Sequence, residues 1–170
     1  MINLGRIIAI TGHYGSGKTN LAINLAVDFA KAGEKVTIID LDIVNPYFRT
    51  ADHSDLFKRL GIKLIAPQFA NTNLDIPSLG FDMAAAANGC DDSGAVALGQ
   101  YSTVLNNMGC SLYYVVNRYR YLTRTADEAA EVLRDIEQVS RMRAKGIINC
   151  SNLGSQTSAD DVKVTADYAV

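Results

Sequence analysis

The residues with the clearest potential for chemistry stand near the start of the chain. Their order, Gly12-His13-Tyr14-Gly15-Ser16-Gly17-Lys18-Thr19, satisfies the pattern G-x-x-x-x-G-K-[ST]. Glycines let successive backbone N–H groups converge on a phosphate, and a helix that begins there adds the positive end of its dipole. In such a loop Lys18 reaches the β- and γ-phosphates, and the hydroxyl of Thr19 ligates Mg²⁺. The motif predicts that these eight residues bind a nucleoside triphosphate.

A strand and a helix must hold such a loop, and the sequence predicts both. The run Arg6–Thr11 is apolar and of strand length, and 20–30 has the spacing of an amphipathic helix. One helical face is apolar and the opposite face is polar. The apolar positions are Leu21, Ala22, Leu25, Ala26, Phe29 and Ala30, and the polar ones are Asn20, Asn24, Asp28 and Lys31. This context disfavours the alternative, an ordinary glycine-rich turn before a helix.

Two carboxylates, Asp40 and Asp42, follow the next apolar run, Val36–Asp40. That run predicts a strand covered on both faces, and we expect it beside the strand that precedes the phosphate motif. Ligands of open α/β sheets lie at the carboxyl ends of the strands. A carboxylate there holds the Mg²⁺ shell or orients an attacking water. The alternative is that both residues only end the strand, and the preceding motif favours the functional interpretation.

Strands and helices alternate along the rest of the chain, except for residues 68–92, where no period is evident. Thr125 and Glu128 form a capping box at the start of one helix. The predicted helices are 51–60, 94–108, 125–142 and 158–170, and the predicted strands are 63–67, 111–117 and 144–150. The sequence therefore predicts a doubly wound α/β fold, with a mostly parallel sheet and helices on both faces. We expect one nucleotide-binding domain over residues 1–170.

Composition restricts the function further. The net charge of −2 gives no bulk attraction to nucleic acid or membranes. No apolar run approaches a membrane span, and no signal-peptide pattern is present, so we expect a soluble, cytoplasmic protein.

The three cysteines, Cys90, Cys110 and Cys150, are too widely spaced for a zinc site or a disulfide framework. A small basic cluster, Arg118, Arg120 and Arg124, is either a solvated loop or a contact to phosphate or a partner.

Several segments resemble one group of proteins. The phosphate motif, the Asp40-x-Asp42 strand end and the alternation of elements are similar to the MinD/ParA/CobQ–CobB superfamily of P-loop ATPases. More narrowly, the chain resembles a bacterial family of ParA-like ATP-binding proteins. The stretches that carry this likeness are spread over most of the chain: GHYGSGKTN, DLDIVNPYFRTAD, APQFANTNLDIP, DDSGAVALGQY and VVNRYR. The first two stretches are the most specific.

The resemblance implies roles for particular residues. It implies that Lys18 contacts phosphate, that Thr19 ligates Mg²⁺, and that Asp42 positions the hydrolytic water while Asp40 supports the metal shell. Asp91, together with Asp92, matches the family's acidic loop after the Walker B strand and adds a metal contact. The segment from Asn149 to Asn152 matches the strand end that approaches adenine. By residue type alone, Asn117, Asn149 and Asn152 serve turns and strand ends equally well.

The resemblance also implies ATP and Mg²⁺ as ligands, with a site that faces, or can face, a second subunit. A homodimer and an unidentified protein partner follow as expectations.

Three departures limit this analogy. His13 stands where ParA and MinD proteins carry a lysine that reaches across the dimer, and a mostly neutral imidazole is no substitute for that cation. His13 is either a simple loop residue or a weaker phosphate contact.

The other two departures concern missing elements. No apolar run of strand length precedes Asp91, so we expect that a segment containing the Walker B strand is lacking between about residues 76 and 89. The chain also stops inside a predicted helix, where the resemblance leads us to expect a further strand. Both features predict an incomplete sheet.

Three functions remain open from the sequence. The leading hypothesis is a nucleotide-dependent switch, a slow ATPase whose loops after Asp42 and Asp91 govern partner binding. The first alternative is an ATP-dependent synthetase or kinase of the CobB or dethiobiotin-synthetase type. The absence of the cross-subunit lysine favours it, and the absence of a recognisable acceptor pocket counts against it. The second alternative is a nucleotide-binding module without turnover, which His13 and the missing Walker B strand favour.

Overall fold

The computed structural model describes residues 5–40, 53–65 and 93–169, and the fold is given for these ranges. Strands and helices alternate, which confirms the predicted α/β class. The strands are β1 (Ile8–Thr11), β2 (Thr37–Ile39), β3 (Lys63–Ile65), β4 (Ser111–Val116) and β5 (Ala144–Asn149). The helices are α1 (Lys18–Lys31), α2 (Ser54–Leu60), α3 (Ser93–Asn107), α4 (Ala126–Ser140) and α5 (Ala159–Lys163), and short 3₁₀ turns cover Gly154–Gln156 and Ala166–Ala169.

All strand pairs of the described chain are parallel. β4 lies between β1 and β5, with Thr11 opposite Tyr114 and Val116 opposite Asn149. Because parallel strands run in one direction, the carboxyl ends of β1, β4 and β5 meet at one edge of this sheet. The phosphate motif follows β1 directly, so the loops after β4 and β5 are its neighbours.

The strand β2 pairs with β3 in a separate two-stranded sheet. The expectation that β2 lies beside β1 is therefore wrong for the described ranges. The backbone of β2 and its flanks is engaged by β3, since Lys63 donates its N–H to Val36 O at 3.0 Å and Asp40 donates its N–H to Ile65 O at 2.9 Å. Alternation along the chain predicted the strand, but it did not predict which strand is its neighbour.

The strand β4 is the most buried element of the described chain. β1 and β5 cover its two edges, and its alternate residues Leu112, Tyr114 and Val116 pack against α3 and α4. A second cluster joins α1 to α2 and the β2–β3 pair through Ile23, Ala26, Phe57 and Ile62. The polar face predicted for α1 is exposed, but its most buried residues include Ile23, which the predicted apolar face left out.

The helix α3 packs through small residues. Val104 is 56% exposed, whereas Ala95 and Ala97 are buried beside Leu98. The approach of α3 to α4 is close at Gly99, where a Cβ atom would lie 2.3 Å from the carbonyl oxygen of Val139. Apolar character identified the helix, and tertiary packing selected its buried face.

The helix ends are set by local signals, with one correction. Thr125 and Glu128 form the predicted capping box of α4. The single helix expected from Ser158 to the end of the chain is wrong: α5 has five residues and is followed by a 3₁₀ turn. Between the two elements, Thr165 is buried and its carbonyl accepts a hydrogen bond from the Asn149 side chain. Among the helices described here, none has the length and apolar character required to cross a membrane.

Candidate functional site

The loop between β1 and α1 has the backbone of a phosphate-binding turn. Gly12, Gly15 and Gly17 have φ angles of 148°, 72° and 101°, a region that side chains other than hydrogen strongly disfavour. Ser16 donates its N–H to His13 O at 3.1 Å, which curls the loop. Gly17 is the N-cap of α1 and supplies no side-chain hydrogen bond, so the first N–H groups of the helix have no side-chain cap. This is the arrangement that binds anions.

Neighbouring strands hold the loop at its glycines. A Cβ atom on Gly12 would lie 2.2 Å from the carbonyl oxygen of Val115 in β4. A Cβ atom on Gly17 would lie 3.3 Å from Cβ of Cys150, which follows β5. At Gly12 there is no space for any side chain, because the atom in the way is the backbone oxygen of Val115, which cannot move aside as a flexible side chain could. The glycine spacing in the motif thus reflects packing against β4 and β5 as well as phosphate binding.

Two side chains of the loop test whether a phosphate fits it. The Lys18 ammonium donates to the carbonyl of Gly12 and, at 3.1 Å, to that of His13, so the cation lies on the loop. Ser16 Oγ is fully buried and has no hydrogen-bond partner in the part of the chain that the structure describes. It lies 3.1 Å from the point where a Cβ atom of Gly12 would stand, inside the turn. An unpaired buried hydroxyl costs about 1–3 kcal/mol, so this side chain lacks a partner that folding normally supplies. The glycine backbone and the Lys18 ammonium on the loop fit an anion.

Asn117, directly after β4, supports the phosphate loop through hydrogen bonds. Its side chain is fully buried and donates to Gly15 O at 3.5 Å and to Asn152 O at 3.2 Å. Its amide oxygen accepts the N–H of Tyr119 at 3.0 Å and that of Asn152 at 3.3 Å. One amide therefore joins the phosphate loop to the loops after β4 and β5. By residue type alone, Asn117 could serve a turn or a strand end as well as a base contact. The signal for its role here is a buried polar residue at the end of a buried central strand.

Two asparagines that the resemblance assigns to adenine serve turns in this structure. Asn149 donates to Thr165 O and accepts the Ser151 N–H at 3.0 Å. Asn152 donates to Cys150 O at 2.7 Å and accepts the Gly154 N–H at 3.0 Å. Both residues lie at the same sheet edge as the phosphate loop, because Asn117 contacts Asn152. Their contact to a base stays a prediction.

The predicted metal ligands are only partly described. Thr19 lies in the first turn of α1 and is half-buried, and Asp40 follows β2 and is half-buried as well. Asp42 and Asp91 fall outside the described residues, as does the segment 76–89 where we expect a deletion. Within 5–40, 53–65 and 93–169, no group of three or more His, Cys, Asp or Glu side chains is placed to hold a metal ion. The Mg²⁺ ligands remain a prediction.

Of the cysteines, Cys110 and Cys150 are described, and both are half-buried free thiols. Burial raises the pKa of Cys150 and that of Cys110, so both thiols stay protonated at neutral pH. For Cys110, a hydrogen bond from the backbone of Ala9 partly opposes this shift in pKa. Both residues are small packing residues, and Cys150 packs against Gly17 of the phosphate loop.

Comparison with known families agrees with the geometry of the loop. A model of the CobQ/CobB/MinD/ParA nucleotide binding domain matches residues 7–150, which is most of the chain. The chain belongs to this family. It is therefore a nucleotide-binding protein with a P-loop, as the resemblance of its motifs implied. The match includes the strand β1, the loop 12–19 and the strand end at Asn149, so the three sheet-edge loops described above fall inside the family's domain or directly at its end.

Solved structures and curated proteins add little. The signal recognition particle receptor FtsY from Elizabethkingia anophelis matches 84% of this chain at 18% identity, with a TM-score of 0.36. The chain spans 40% of the length of that receptor, and a likeness of this degree carries no argument about function. No curated protein matches the chain in sequence.

Proposed function

We propose that this protein binds Mg·ATP in the loop Gly12–Thr19 and hydrolyses it slowly, as a nucleotide-dependent switch for a protein partner. One observation carries the proposal. The loop combines three glycines in left-handed geometry, a buried Ser16 hydroxyl without a partner in the described chain, and the Lys18 ammonium on the loop carbonyls. Together with the family, this supports a site built for a triphosphate.

The residues of the chain act by positioning and by charge. Lys18 exchanges its hydrogen bonds with Gly12 and His13 for the β- and γ-phosphates, a short movement because the ammonium already lies on the loop. Thr19, with Asp40 in support, would hold Mg²⁺, and the bound ion would supply positive charge beside the phosphates. Asp42 orients the attacking water, a role that rests on the family resemblance. We further propose that residues 1–170 form one nucleotide-binding domain.

The binding step is tested by titration calorimetry with Mg·ATP. The variant Lys18→Ala should lower the affinity by roughly a hundredfold, because the charged hydrogen bonds to phosphate are lost. The variant Lys35→Ala is the matched control, since Lys35 is an exposed lysine between α1 and β2. Unchanged affinity in Lys18→Ala would show that the loop is not the phosphate site.

The turnover step is tested by phosphate release from ATP in the wild type and in Asp42→Ala. A slow wild-type rate that Asp42→Ala removes supports the switch ATPase. Equal rates at background level replace it with a nucleotide-binding module without turnover. A rise in ADP release that requires a small-molecule acceptor, with the modified acceptor seen by mass spectrometry, would instead identify a synthetase or kinase.

A further inference from the structure

The basic cluster after β4 is not a uniformly solvated loop. The Arg118 guanidinium donates to Val164 O at 3.4 Å, toward the end of the chain. The Arg120 guanidinium points the other way, and its Nε donates to Gly15 O at 3.2 Å. Arg120 is the member of this cluster that contacts the phosphate loop, and it contacts the middle of that loop.

The backbone of Arg120 is held firmly although its side chain is exposed. Its N–H donates to Asn117 O at 3.0 Å, and its carbonyl accepts the N–H of Thr123 at 3.3 Å. Thr123 is fully buried, and its hydroxyl donates to Asn117 O at 2.7 Å. The turn is tight enough to hold Leu122 at a φ of 65°, a conformation that costs a leucine free energy. A turn built in this way presents Arg120 at one place relative to the loop.

The phosphate loop is shaped to receive this guanidinium. A Cβ atom on Gly15 would lie 3.2 Å from Nε and 3.4 Å from Cζ of Arg120, so the missing side chain of Gly15 lets the arginine lie against the turn. Asn117 donates to the same Gly15 carbonyl and keeps it oriented. The N–H groups that gather a phosphate belong to the turn that Arg120 covers.

The positive charge of Arg120 is not neutralised by the protein in the described ranges. The ion pairs found there join Arg134 to Glu131, Arg143 to Glu137 and Lys163 to Asp160. Of the five N–H groups of the guanidinium, Nε is bonded to Gly15 O, and the Nη groups have no acceptor among residues 5–40, 53–65 and 93–169. A planar fork with free N–H groups is well suited to phosphate oxygens.

We propose that Arg120 is a phosphate-binding residue, a second cation that contacts the bound nucleotide from the turn after β4 while Lys18 contacts it from α1. The proposal rests on the proposed function and adds a residue to the same site. Arg120 keeps its Nε bond to Gly15 and directs its Nη groups to the β- or γ-phosphate. This gives the site two positive charges, one from α1 and one from the turn after β4.

The test is titration calorimetry of the full chain with Mg·ATP, Mg·ADP and AMP. Arg120→Ala removes the side chain, Arg120→Gln keeps a hydrogen-bond donor without the charge, and Arg120→Lys keeps a charge without the fork. Arg124→Ala is the matched control, an exposed arginine of the same cluster. Thermal unfolding of each variant without nucleotide reports any loss of loop structure separately.

We expect Arg120→Ala and Arg120→Gln to weaken Mg·ATP binding by about tenfold or more, while Arg120→Lys loses less and Arg124→Ala equals the wild type. A loss shared by ATP and ADP assigns the contact to the β-phosphate, and a loss for ATP alone assigns it to the γ-phosphate. Wild-type affinity in Arg120→Ala, or full rescue by Arg120→Gln, overturns the proposal and leaves Arg120 a structural brace. A wild-type protein that binds no Mg·ATP overturns the proposed function itself, and with it this inference.

Discussion

Asn117 is the residue on which the geometry of the site depends most. The four hydrogen bonds of its side chain go to the phosphate loop, to its own turn and to the loop after β5. A fully buried amide with all these partners specifies a single arrangement of the three loops, because an alternative packing leaves buried polar groups unpaired. Asn117 thus places the loop that carries Ser16 and Lys18.

We expect Asn117→Ala to lower the free energy of unfolding by about 2–3 kcal/mol, since backbone groups of Tyr119 and Asn152 lose their partners. Urea denaturation measures this change. The affinity for Mg·ATP should fall as well, because the Gly15 carbonyl loses one of its two donors. Asn106→Ala is the control, as Asn106 is exposed and makes one long bond, 3.5 Å, to Arg141 O. Equal losses in both variants would contradict the bracing role.

At the scale of elements, the layer formed by α3 and α4 covers the central strand β4. The contact between the two helices is close at Gly99, where a Cβ atom would lie 2.3 Å from the carbonyl oxygen of Val139. Ser102 is buried on the same helix and donates to Gly99 O at 3.0 Å. The glycine in the middle of α3 is therefore a packing residue, despite its cost in helix propensity.

Two alanine substitutions in α3 should change stability in opposite directions. Gly99→Ala forces α3 away from the α4 backbone and should destabilise the protein by about 2 kcal/mol or more. Gly94→Ala, in the same helix, meets no described atom within 4 Å and should stabilise by about 0.5–1 kcal/mol through helix propensity. Thermal unfolding of the two variants checks both signs. A neutral Gly99→Ala would show that the helices separate without cost.

At the scale of the molecule, the last described segment, 158–169, is hydrogen-bonded to the loops that support the site. Tyr119 donates its hydroxyl to Asp161 O at 2.9 Å, and Asn149 donates to Thr165 O. Tyr168 donates its hydroxyl to Thr123 O and, at 3.3 Å, to Thr125 O. Thr123 belongs to the turn that presents Arg120, and Arg120 contacts Gly15. The segment 158–169 therefore supports the phosphate loop indirectly, through Thr123 and Arg120.

We expect Tyr168→Phe to cost about 1 kcal/mol in free energy of unfolding at neutral pH. Burial, and secondarily the charge of Glu128, raise the pKa of Tyr168, so the folded state favours the neutral phenol. A raised pKa gives stability that is complete below the ordinary value of about 10 and is lost as the pH rises through the folded pKa. The variant should therefore lose less stability than the wild type as the pH rises above about 10. Tyr121→Phe, at a tyrosine that is 69% exposed, is the control, and equal pH profiles of Tyr168→Phe and wild type would contradict this role.

What the sequence determined by itself is local. A phosphate loop was predicted from Gly12, Gly15 and Gly17 with Lys18, and a helix start was predicted from Thr125 with Glu128. Both predictions were possible because each signal acts within a few residues. Only the tertiary structure decided that β2 pairs with β3, that Val104 is exposed while Ala97 is buried, and that Asn117 and Arg120 meet Gly15. Those outcomes depend on contacts between residues far apart in the chain, 26 positions for Thr37 and Lys63 and 105 positions for Gly15 and Arg120, or on how two helices pack. Residue types along a chain do not encode such distances, since the free energy of packing is set by the three-dimensional neighbours.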